Sequence, residues 1–329
     1  MTSKLIDQHG RTLDYLRLSV TDRCNFRCYY CMPEEGVTYV QRKELMSFEE
    51  MLQLTSLFCR LGISKIRITG GEPFLRQGIM PFLRQLSFTE SLNEITVTSN
   101  GTLSDNYRKE LLQLGIRKIN ISLDSLDRER FAQITRRDSF DNVFGSIIKL
   151  LDWGFEVKLN CVVANNKNIQ DIIPFVELTR HYDLSVRFLE EMPFNGNSQS
   201  ANEFLWGHKE INNYICEHYN NIIPLYNATS STSINYRING YNGTFGIIPS
   251  FSRTFCGTCN RVRLSATGEL RTCLYGAPVL NLRDFLREKV PVPMIEQQII
   301  EAVSKRARDG FEAELSGGSV HTSMSALGG

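Results

Sequence analysis

The sequence predicts an α/β fold with a parallel sheet, followed by a C-terminal extension of different composition. Short apolar segments alternate with amphipathic stretches up to about residue 190, and polar residues suited to chemistry follow most of the apolar segments. Near residue 221 this alternation gives way to a stretch rich in Asn, Ser, Thr and Gly. Repeated strand–helix–strand units indicate right-handed crossovers and therefore a parallel sheet.

Six apolar segments are the predicted strands: residues 15–20, 65–69, 94–98, 118–123, 156–163 and 185–190. Eight parallel strands would close a full barrel, so six leave two alternatives, a doubly wound sheet or an incomplete, open barrel. In either architecture the active site lies at the carboxyl ends of the strands. Polar loops follow five of these strands: TDRC (21–24), GGEP (70–73), SNG (99–101), SLD (122–124) and EEMP (190–193).

Amphipathic helices are predicted between the strands. The first begins after Ser47, because Ser47 and Glu50 form a capping-box pattern, and it ends before Gly62. Two further helices, about residues 105–114 and 142–153, also end before a glycine.

The extension is predicted to contain short antiparallel strands and two helices, residues 281–289 and about 294–309. We therefore divide the chain into a region of residues 1–220 and a C-terminal region of residues 221–329.

Four predicted strands each carry one cation between apolar neighbours: Arg17, Arg67, Lys158 and Arg187. Because neighbouring strand residues point to opposite faces, these cations face away from the covering helices and into the barrel. Burying like charges together is costly without a counter-charge. Local carboxylates such as Glu72, Asp124 or Glu190 are one possible counter-charge. For four cations at once, an anionic ligand is the better explanation.

The bulk composition limits the function classes. The net charge of the 329-residue chain is +1, so we expect no general affinity for nucleic acid. No apolar segment reaches the length of a membrane span, and we expect a cytoplasmic protein. In that reducing compartment the nine cysteines are not expected to form disulfides, and six of them fall into two triads.

The first triad, Cys24, Cys28 and Cys31, has the spacing C-x3-C-x2-C. Structural zinc sites and ferredoxin-type clusters each take four protein ligands, and no fourth Cys or His lies nearby. Three thiolates suit three irons of a [4Fe–4S] cluster. The fourth iron is then left for a ligand that is not protein.

The second triad, Cys256, Cys259 and Cys273, has the spacing C-x2-C-x13-C. A zinc site completed by His218 or His321 is one alternative, and a second three-cysteine cluster is the other. Arg261 and Arg263 follow Cys259 closely and lie two residues apart, so their side chains face the same way on a strand. They could form a surface pair, but beside a metal site we favour a clamp for phosphate or carboxylate.

These motifs resemble those of the radical S-adenosylmethionine (SAM) enzymes. The resemblance extends over essentially the whole chain to the GTP 3′,8-cyclase (MoaA) family of molybdenum cofactor biosynthesis. It is carried by LRLSVTDRCNFRCYYCMP, KIRITGGEPFLR, TSNG, INISLDSLD, VRFLEEMP, FCGTCNRVRLSATGELRTCL and the terminal GG. The fold it implies is an incomplete (β/α)6 radical SAM barrel with a C-terminal extension.

The resemblance also implies roles for individual residues. Cys24, Cys28 and Cys31 would bind the [4Fe–4S] cluster that chelates SAM, and Cys256, Cys259 and Cys273 a second [4Fe–4S] cluster that contacts guanine. Tyr30, Gly71, Ser122 and Met192 would line SAM, with the glycine backbone close to the methionine amine. Arg17, Arg67, Thr98, Lys158, Arg261, Val262 and Arg263 would bind GTP. Catalytic roles fall to Arg17, Arg261, Arg263 and the terminal Gly328 and Gly329, while Arg187 is left to a structural role.

The implied reaction begins with reductive cleavage of SAM to methionine and a 5′-deoxyadenosyl radical. The radical removes hydrogen from C3′ of GTP, and C3′ then adds to C8 to give 3′,8-cyclo-7,8-dihydro-GTP. The family further implies an unidentified electron donor, a cyclic pyranopterin monophosphate synthase that takes the product, and a homodimer.

Two other functions remain open. A radical SAM enzyme acting on a peptide or another small molecule would share the first triad and GGEP, but it would not explain the Arg-x-Arg pair or the converging cations. An iron–sulfur electron carrier or a zinc-stabilised binding module would be expected to have four ligands at each site.

Overall fold

A single twelve-stranded sheet organises the residues described in this computed structural model, which are 4–192, 206–317 and 324. The strands are β1 (Tyr15–Ser19), β2 (Lys65–Thr69), β3 (Glu94–Ser99), β4 (Lys118–Ser122), β5 (Glu156–Val163), β6 (Ser185–Glu190), β7 (Ile222–Pro224), β8 (Ile234–Ile238), β9 (Thr244–Ile248), β10 (Arg261–Leu264), β11 (Glu269–Arg271) and β12 (Leu280–Asn281). Their spatial order is β12-β11-β10-β1-β2-β3-β4-β5-β6-β9-β8-β7.

Ten α-helices are defined in the same residues: α1 (Phe48–Arg60), α2 (Ile79–Ser87), α3 (Arg108–Gln113), α4 (Arg128–Thr135), α5 (Phe140–Asp152), α6 (Ile172–His181), α7 (His208–His218), α8 (Leu282–Arg287), α9 (Val292–Ser304) and α10 (Gly310–Leu315). The apolar faces of α1 to α9 and the outward-facing strand residues, such as Leu16, Ile66 and Ile119, form the main hydrophobic core, while Ala313 of α10 packs with Tyr275 in a smaller one. Within the described ranges, no helix has the length and apolarity needed to cross a membrane.

The order of the strands shows that the sheet is an open barrel. Strands β1 to β6 lie side by side in chain order, whereas the order reverses in a doubly wound sheet. Consecutive right-handed crossovers in one direction place all the helices on one face. The sheet is not closed, because β12 and β7 are its two edges. The prediction of an incomplete barrel is confirmed.

The parallel part of the sheet is larger than the six strands predicted. The C-terminal region adds β10 beside β1 and β9 beside β6, both parallel to their neighbours, so eight consecutive strands run in one direction. The antiparallel strands β11 and β12 lie beyond β10, and β8 and β7 lie beyond β9. The extension therefore continues both edges of the barrel sheet, which its composition did not indicate.

Most element boundaries agree with the sequence. The six predicted strands end within one residue of β1 to β6. The Ser47 hydroxyl accepts a hydrogen bond from the Glu50 amide (3.1 Å), and the Glu50 carboxylate accepts one from the Ser47 amide (2.7 Å), which confirms the capping box.

Two predicted helices differ from the structure, one in the type of its first turn and the other in its extent. The helix expected from residue 105 begins as a 3-10 turn, Ser104–Tyr107, and becomes α-helical at Arg108. The helix expected to reach residue 309 stops at Ser304, and α10 starts separately after Asp309, whose carboxylate caps it. The break frees residues 306–308 to bind the second triad and the N-terminal segment.

We predict that Gly243→Ala destabilises the junction between β6 and β9. A Cβ at Gly243 would lie 2.3 Å from the Leu184 carbonyl and 2.7 Å from that of Tyr182, and backbone atoms yield little. The free energy of unfolding should fall by about 2 kcal/mol or more, measured by denaturant unfolding. Gly145→Ala in α5 is the matched control, since a Cβ there meets nothing within 4 Å. Equal stability of the two variants would contradict the packing argument.

Candidate active site

A cavity of about 530 Å³ occupies the concave face of the barrel. It is lined by all six triad cysteines and by most of the residues singled out from the sequence: Arg17, Tyr30, Arg67, Gly71, Thr98, Ser122, Lys158, Met192, Arg261 and Arg263. Arg187 lines it as well. One chamber thus brings together side chains from residues far apart in the chain.

One of the described residues predicted for the site, Val262, is absent from the cavity wall. The Val262 side chain is fully buried in the hydrophobic core, because it points away from the face shared by Arg261 and Arg263. Any contact of Val262 with a ligand in the cavity would have to come from its backbone. Gly328 and Gly329 lie outside the described residues.

The two triads lie at opposite ends of a pair of parallel strands. Cys24, Cys28 and Cys31 follow the carboxyl end of β1, while Cys256 and Cys259 precede the amino end of its neighbour β10. Cys273 joins the second group because β11 runs antiparallel to β10 and returns the chain to that end. The five residues of β1 span roughly 16 Å, which sets the scale of the distance across the cavity.

The first triad is held by a compact loop. The Cys28 carbonyl accepts hydrogen bonds from the amides of Cys31 and Met32, both 2.9 Å. The Cys24 sulfur accepts from the Phe26 amide (3.4 Å) and from the Asn100 side chain (3.7 Å). Burial raises the pKa of the Cys24 and Cys28 thiols, so metal binding there would be coupled to loss of their protons.

The glycines of GGEP are required by this same loop. A Cβ on Gly71 would lie 2.2 Å from the Arg23 carbonyl, and one on Gly70 would lie 2.4 Å from that of Thr21. The amides of Gly71 and Glu72 donate to these two carbonyls at 2.8 Å. The sequence predicted that the Gly71 backbone approaches a ligand closely. In the structure, the backbone of both glycines closely approaches the cysteine-bearing loop.

Glu72 ties this assembly to the next strand. Its buried carboxylate accepts hydrogen bonds from the Ser99 hydroxyl (3.0 Å), the Asn100 amide (2.7 Å) and the Phe74 amide (3.1 Å). Burial raises the pKa of Glu72 to about 7, against the lowering effect of these donors. Glu72 is therefore a structural anchor and not the counter-charge of a barrel cation.

Two of the proposed SAM-lining side chains already have protein partners. The Tyr30 hydroxyl donates to Asp124 Oδ2 (2.8 Å), and Asp124 Oδ1 accepts from the Val162 amide (2.9 Å). Burial raises the pKa of Asp124 to about 6. The Met192 sulfur accepts from the Tyr275 hydroxyl (3.1 Å), beside the second triad. Met192, which follows the carboxyl end of β6, therefore packs in the same small cluster as Cys273 of the second triad.

The second triad is surrounded by cations. The Cys259 sulfur accepts hydrogen bonds from Arg261 Nη2 (3.3 Å) and Arg306 Nη2 (2.9 Å), and Arg306 also donates to the Cys259 carbonyl (2.6 Å). Burial by itself raises the pKa of this thiol, but Arg261 and Arg306 outweigh it and lower the pKa to about 6. Cys259 is thus available as the thiolate, the form that binds metals.

Arg11 and Arg306 are functional-site residues that the sequence did not reveal. Arg11 donates to the carbonyls of Cys256 (2.9 Å) and Ala307 (2.6 Å) and forms a buried ion pair with Asp7 (2.6 Å). Arg306 lies 3.8 Å from the same Asp7 carboxylate. Arg11 and Cys256 are 245 residues apart, so no local pattern could connect them.

The zinc alternative named His218 or His321 as the fourth ligand of the second triad. In the part of the chain that the structure describes, no group of three or more His, Cys, Asp or Glu side chains is placed to hold a metal ion. His218 is exposed on α7, with its Nδ1 2.8 Å from the Tyr214 carbonyl. His321 lies outside the described residues.

The cations of the cavity wall form rows across the strands. Arg17 is in register with Arg263 on one side and with Arg67 on the other, so three guanidinium side chains leave adjacent strands at the same level. Thr98, Asn120 and Lys158 form a second row across β3, β4 and β5.

Few groups of the protein neutralise the charge of these cations or accept their hydrogen bonds. Across residues 4–192, 206–317 and 324, no ion pair is formed by Arg17, Lys158, Arg187 or Arg263. The buried Nε atoms of Arg17, Arg187, Arg261 and Arg263 also lack a hydrogen-bond partner there, as does the Thr98 hydroxyl. Unpartnered buried donors are rare in native proteins, so this wall is complementary to an anionic ligand.

The alternative of local carboxylate partners is wrong for Arg187. Glu190 accepts hydrogen bonds from the amides of His208 (2.7 Å) and Ser252 (2.6 Å) instead. Residues 187 and 190 differ by an odd number, so their side chains point to opposite faces of β6. Arg187 therefore belongs to the cationic wall.

Burial and mutual repulsion lower the pKa values of cations in this wall. Burial and the nearby Arg263 hold the pKa of Arg17 well below its ordinary value. Burial, followed by repulsion from Arg187 and Arg67, lowers the pKa of Lys158 to about 8. An anion in the cavity would relieve this repulsion, so its binding is favoured by the arrangement of the wall.

Two known families match successive segments of the chain. Residues 18–179 match the Radical SAM superfamily, and residues 184–311 match Molybdenum Cofactor Synthesis C.

Among relatives, GTP 3′,8-cyclase of Petrotoga mobilis is 40% identical over 281 residues, covering 85% of this chain and 87% of that protein. The mitochondrial GTP 3′,8-cyclase of Arabidopsis thaliana is 37% identical over 307 residues, covering 93% and 78%. Molybdenum cofactor biosynthesis protein moc-5 of Caenorhabditis elegans is 41% identical over 304 residues, covering 92% and 50%. The chain thus spans about half the length of this animal relative.

Solved structures share the fold at low identity. SuiB of Streptococcus suis bound to its precursor peptide SuiA has a TM-score of 0.62 at 13% identity, covering 94% of this chain and 73% of that one. The protein anSMEcpe with bound AdoMet has a TM-score of 0.61 at 15% identity, covering 93% and 84%.

We predict that anion binding in the cavity weakens as the pH rises through about 8. With a pKa of about 8 in the anion-free protein, Lys158 is charged below that pH and loses its charge above it. Calorimetric titration with pyrophosphate between about pH 6.5 and 9.5 tests this, with Lys158→Met removing this pH step and weakening binding at pH 7 about tenfold.

Lys149→Met is the matched control for this titration, because Lys149 pairs with Asp105 on the outer side of the barrel. It should bind pyrophosphate like the unmodified protein at every pH. The prediction fails if unmodified protein and Lys158→Met show the same pH profile, since the titration of pyrophosphate is common to both.

Proposed function

The chain belongs to the GTP 3′,8-cyclase family of the radical SAM superfamily, and we propose that it converts GTP to (8S)-3′,8-cyclo-7,8-dihydroguanosine 5′-triphosphate in the first step of molybdenum cofactor biosynthesis. In this proposal it is a lyase that acts in the cytoplasm. The observation that carries the proposal is the row of uncompensated cations between two three-cysteine sites. A polyanionic substrate explains that wall, whereas a peptide substrate does not.

Each triad would hold a [4Fe–4S] cluster with one iron free of protein ligands. The first site fits this role because its three thiols face the cavity on one loop, and the second because Cys259 is favoured as the thiolate. When bound, the clusters and SAM supply the radical chemistry that joins C3′ of the ribose to C8 of guanine.

The side chains of the protein would bind and orient GTP and SAM and shield them from solvent. Arg17, Arg67 and Arg263 would neutralise the triphosphate from adjacent strands, with Lys158 and Thr98 in the next row. Tyr30, Gly71, Ser122 and Met192 would line SAM. Because the two triads lie at opposite ends of β1, the row of cations would hold GTP across the space between them.

The proposed reaction also involves the terminal glycines, which are outside the described residues, and several partner molecules. The terminal Gly328 and Gly329 would reach the substrate. An unidentified donor would supply electrons, a cyclic pyranopterin monophosphate synthase would take the product, and the enzyme would act as a homodimer without nucleic acid as a partner.

Anaerobic incubation with SAM, a reductant and GTP tests the function directly. We expect 5′-deoxyadenosine and a cyclised nucleotide to accumulate together, and both to depend on GTP. Formation of deoxyadenosine without consumption of GTP would contradict cyclisation. It would favour the radical SAM enzyme acting on a peptide or another small molecule.

Metal analysis of the reconstituted protein separates the non-catalytic alternatives. About eight irons per chain fit two cubane clusters. About four irons together with bound zinc would favour a carrier or a zinc-stabilised module.

We predict that Arg263→Ala weakens GTP binding by about 1.5–3 kcal/mol, the scale of a charge-assisted hydrogen bond. Arg261→Ala should weaken it by a similar amount, but Arg261 also donates to the Cys259 sulfur, so Arg263 gives the cleaner result. SAM cleavage competence should survive in both. Arg128→Ala, which removes an exposed guanidinium paired with Asp138 and Asp141, is the control. Loss of iron from Arg263→Ala would make that residue structural.

We predict that deletion of Gly328 and Gly329 abolishes cyclisation but leaves the iron content of the protein unchanged. The glycines act only if the terminal residues reach the substrate. Iron analysis and the GTP assay are run on the same preparation. A double Gly→Ala variant of equal length separates the glycine requirement from chain length. Undiminished GTP turnover after deletion would remove the tail from the mechanism.

A further inference from the structure

Tyr15 occupies the cation-rich end of the cavity, although its residue type gave no signal in the sequence. It is the first residue of β1 and lies in register with Arg261 on β10 and Lys65 on β2. Its side chain lines the same cavity as the cysteine triads. It therefore stands one level below the row of Arg263, Arg17 and Arg67.

Cations surround the Tyr15 side chain. The Lys65 ammonium lies 5.1 Å and the Arg67 guanidinium 5.6 Å from the centre of its ring. Burial alone raises the pKa of the phenol, but Arg67, Arg17, Lys65 and Arg261 together outweigh it and lower the pKa. Such surroundings make the phenol a stronger hydrogen-bond donor and favour an anion beside its hydroxyl.

The Tyr15 hydroxyl is buried and has no hydrogen-bond partner among the described residues. A buried phenol normally finds one, because leaving it unpaired costs free energy. Nearby carboxylates do not provide it: Glu94, at the next strand in this row, is engaged by Lys65 and Lys118 instead. The hydroxyl is thus a buried donor without a hydrogen-bond partner, close to the cations of the cavity wall.

We propose that Tyr15 is a further substrate-binding residue whose hydroxyl donates a hydrogen bond to a phosphate oxygen of the nucleoside triphosphate. Around such an oxygen, the neighbouring guanidinium and ammonium groups supply the positive charge, and the phenol supplies a directed donor. Tyr15 thereby helps to fix how deeply the triphosphate enters the barrel. The inference rests on the proposed binding of GTP, and it concerns the phosphate end of that ligand.

The test is Tyr15→Phe, which keeps the ring beneath Lys65 and Arg67 and removes only the hydroxyl. The reconstituted, SAM-loaded protein is titrated anaerobically with GTP, guanosine and inorganic tripolyphosphate. We expect the Kd for GTP and for tripolyphosphate to rise about tenfold or more, and the Kd for guanosine to stay unchanged. Tyr241→Phe is the control, because its hydroxyl donates to Glu177 outside the cavity.

Each other outcome overturns the inference. An equal loss for guanosine places the contact at the nucleoside. Unchanged or tighter binding of tripolyphosphate means that Tyr15 acts as an internal counter-charge for the cations. Thermal unfolding and iron content, compared with Tyr241→Phe, reveal a purely structural defect. Because tripolyphosphate binding does not require cyclisation, this result stands apart from the assay of the proposed function.

Discussion

Repulsion among cations on the concave face of one sheet is the constraint on which the rest of the structure depends. Parallel register aligns Arg263, Arg17 and Arg67 on three adjacent strands, and no carboxylate of the described residues pairs with Arg17 or Arg263. Such a wall is tolerable because the barrel is open and holds a cavity large enough for a polyanion. The surrounding core supplies the stability that this face does not.

The position of the cysteines follows from the same strand pairing. Because β10 is parallel to β1, a loop before β10 and a loop after β1 lie at opposite ends of the cavity. The first end is braced by Glu72 and Asn100 from the neighbouring strand loops. The second end is held by Arg11 and Arg306. They donate hydrogen bonds to the carbonyls of Cys256 and Cys259, respectively.

This arrangement couples the family's C-terminal region to the barrel. Strands β9 and β10 extend the parallel sheet at both edges, and β10 brings Arg261 and Arg263 beside Arg17. The cationic row is therefore shared between segments more than 240 residues apart, as the pairing of Arg17 with Arg263 shows. Neither segment alone contains the complete wall, so the cavity is built from residues of both regions.

The sequence alone determined the features that rest on local spacing. Strand alternation predicted the inward direction of Arg17, Arg67, Lys158 and Arg187, and cysteine spacing singled out the two triads that line the cavity. The tertiary structure decided the rest: the eight parallel strands, the return of Cys273 along β11, the burial of Val262, and the positions of Arg11, Arg306 and Tyr15 at the cavity. Periodicity and capping act within a few residues, whereas strand partners and buried hydrogen bonds join residues that only folding brings together.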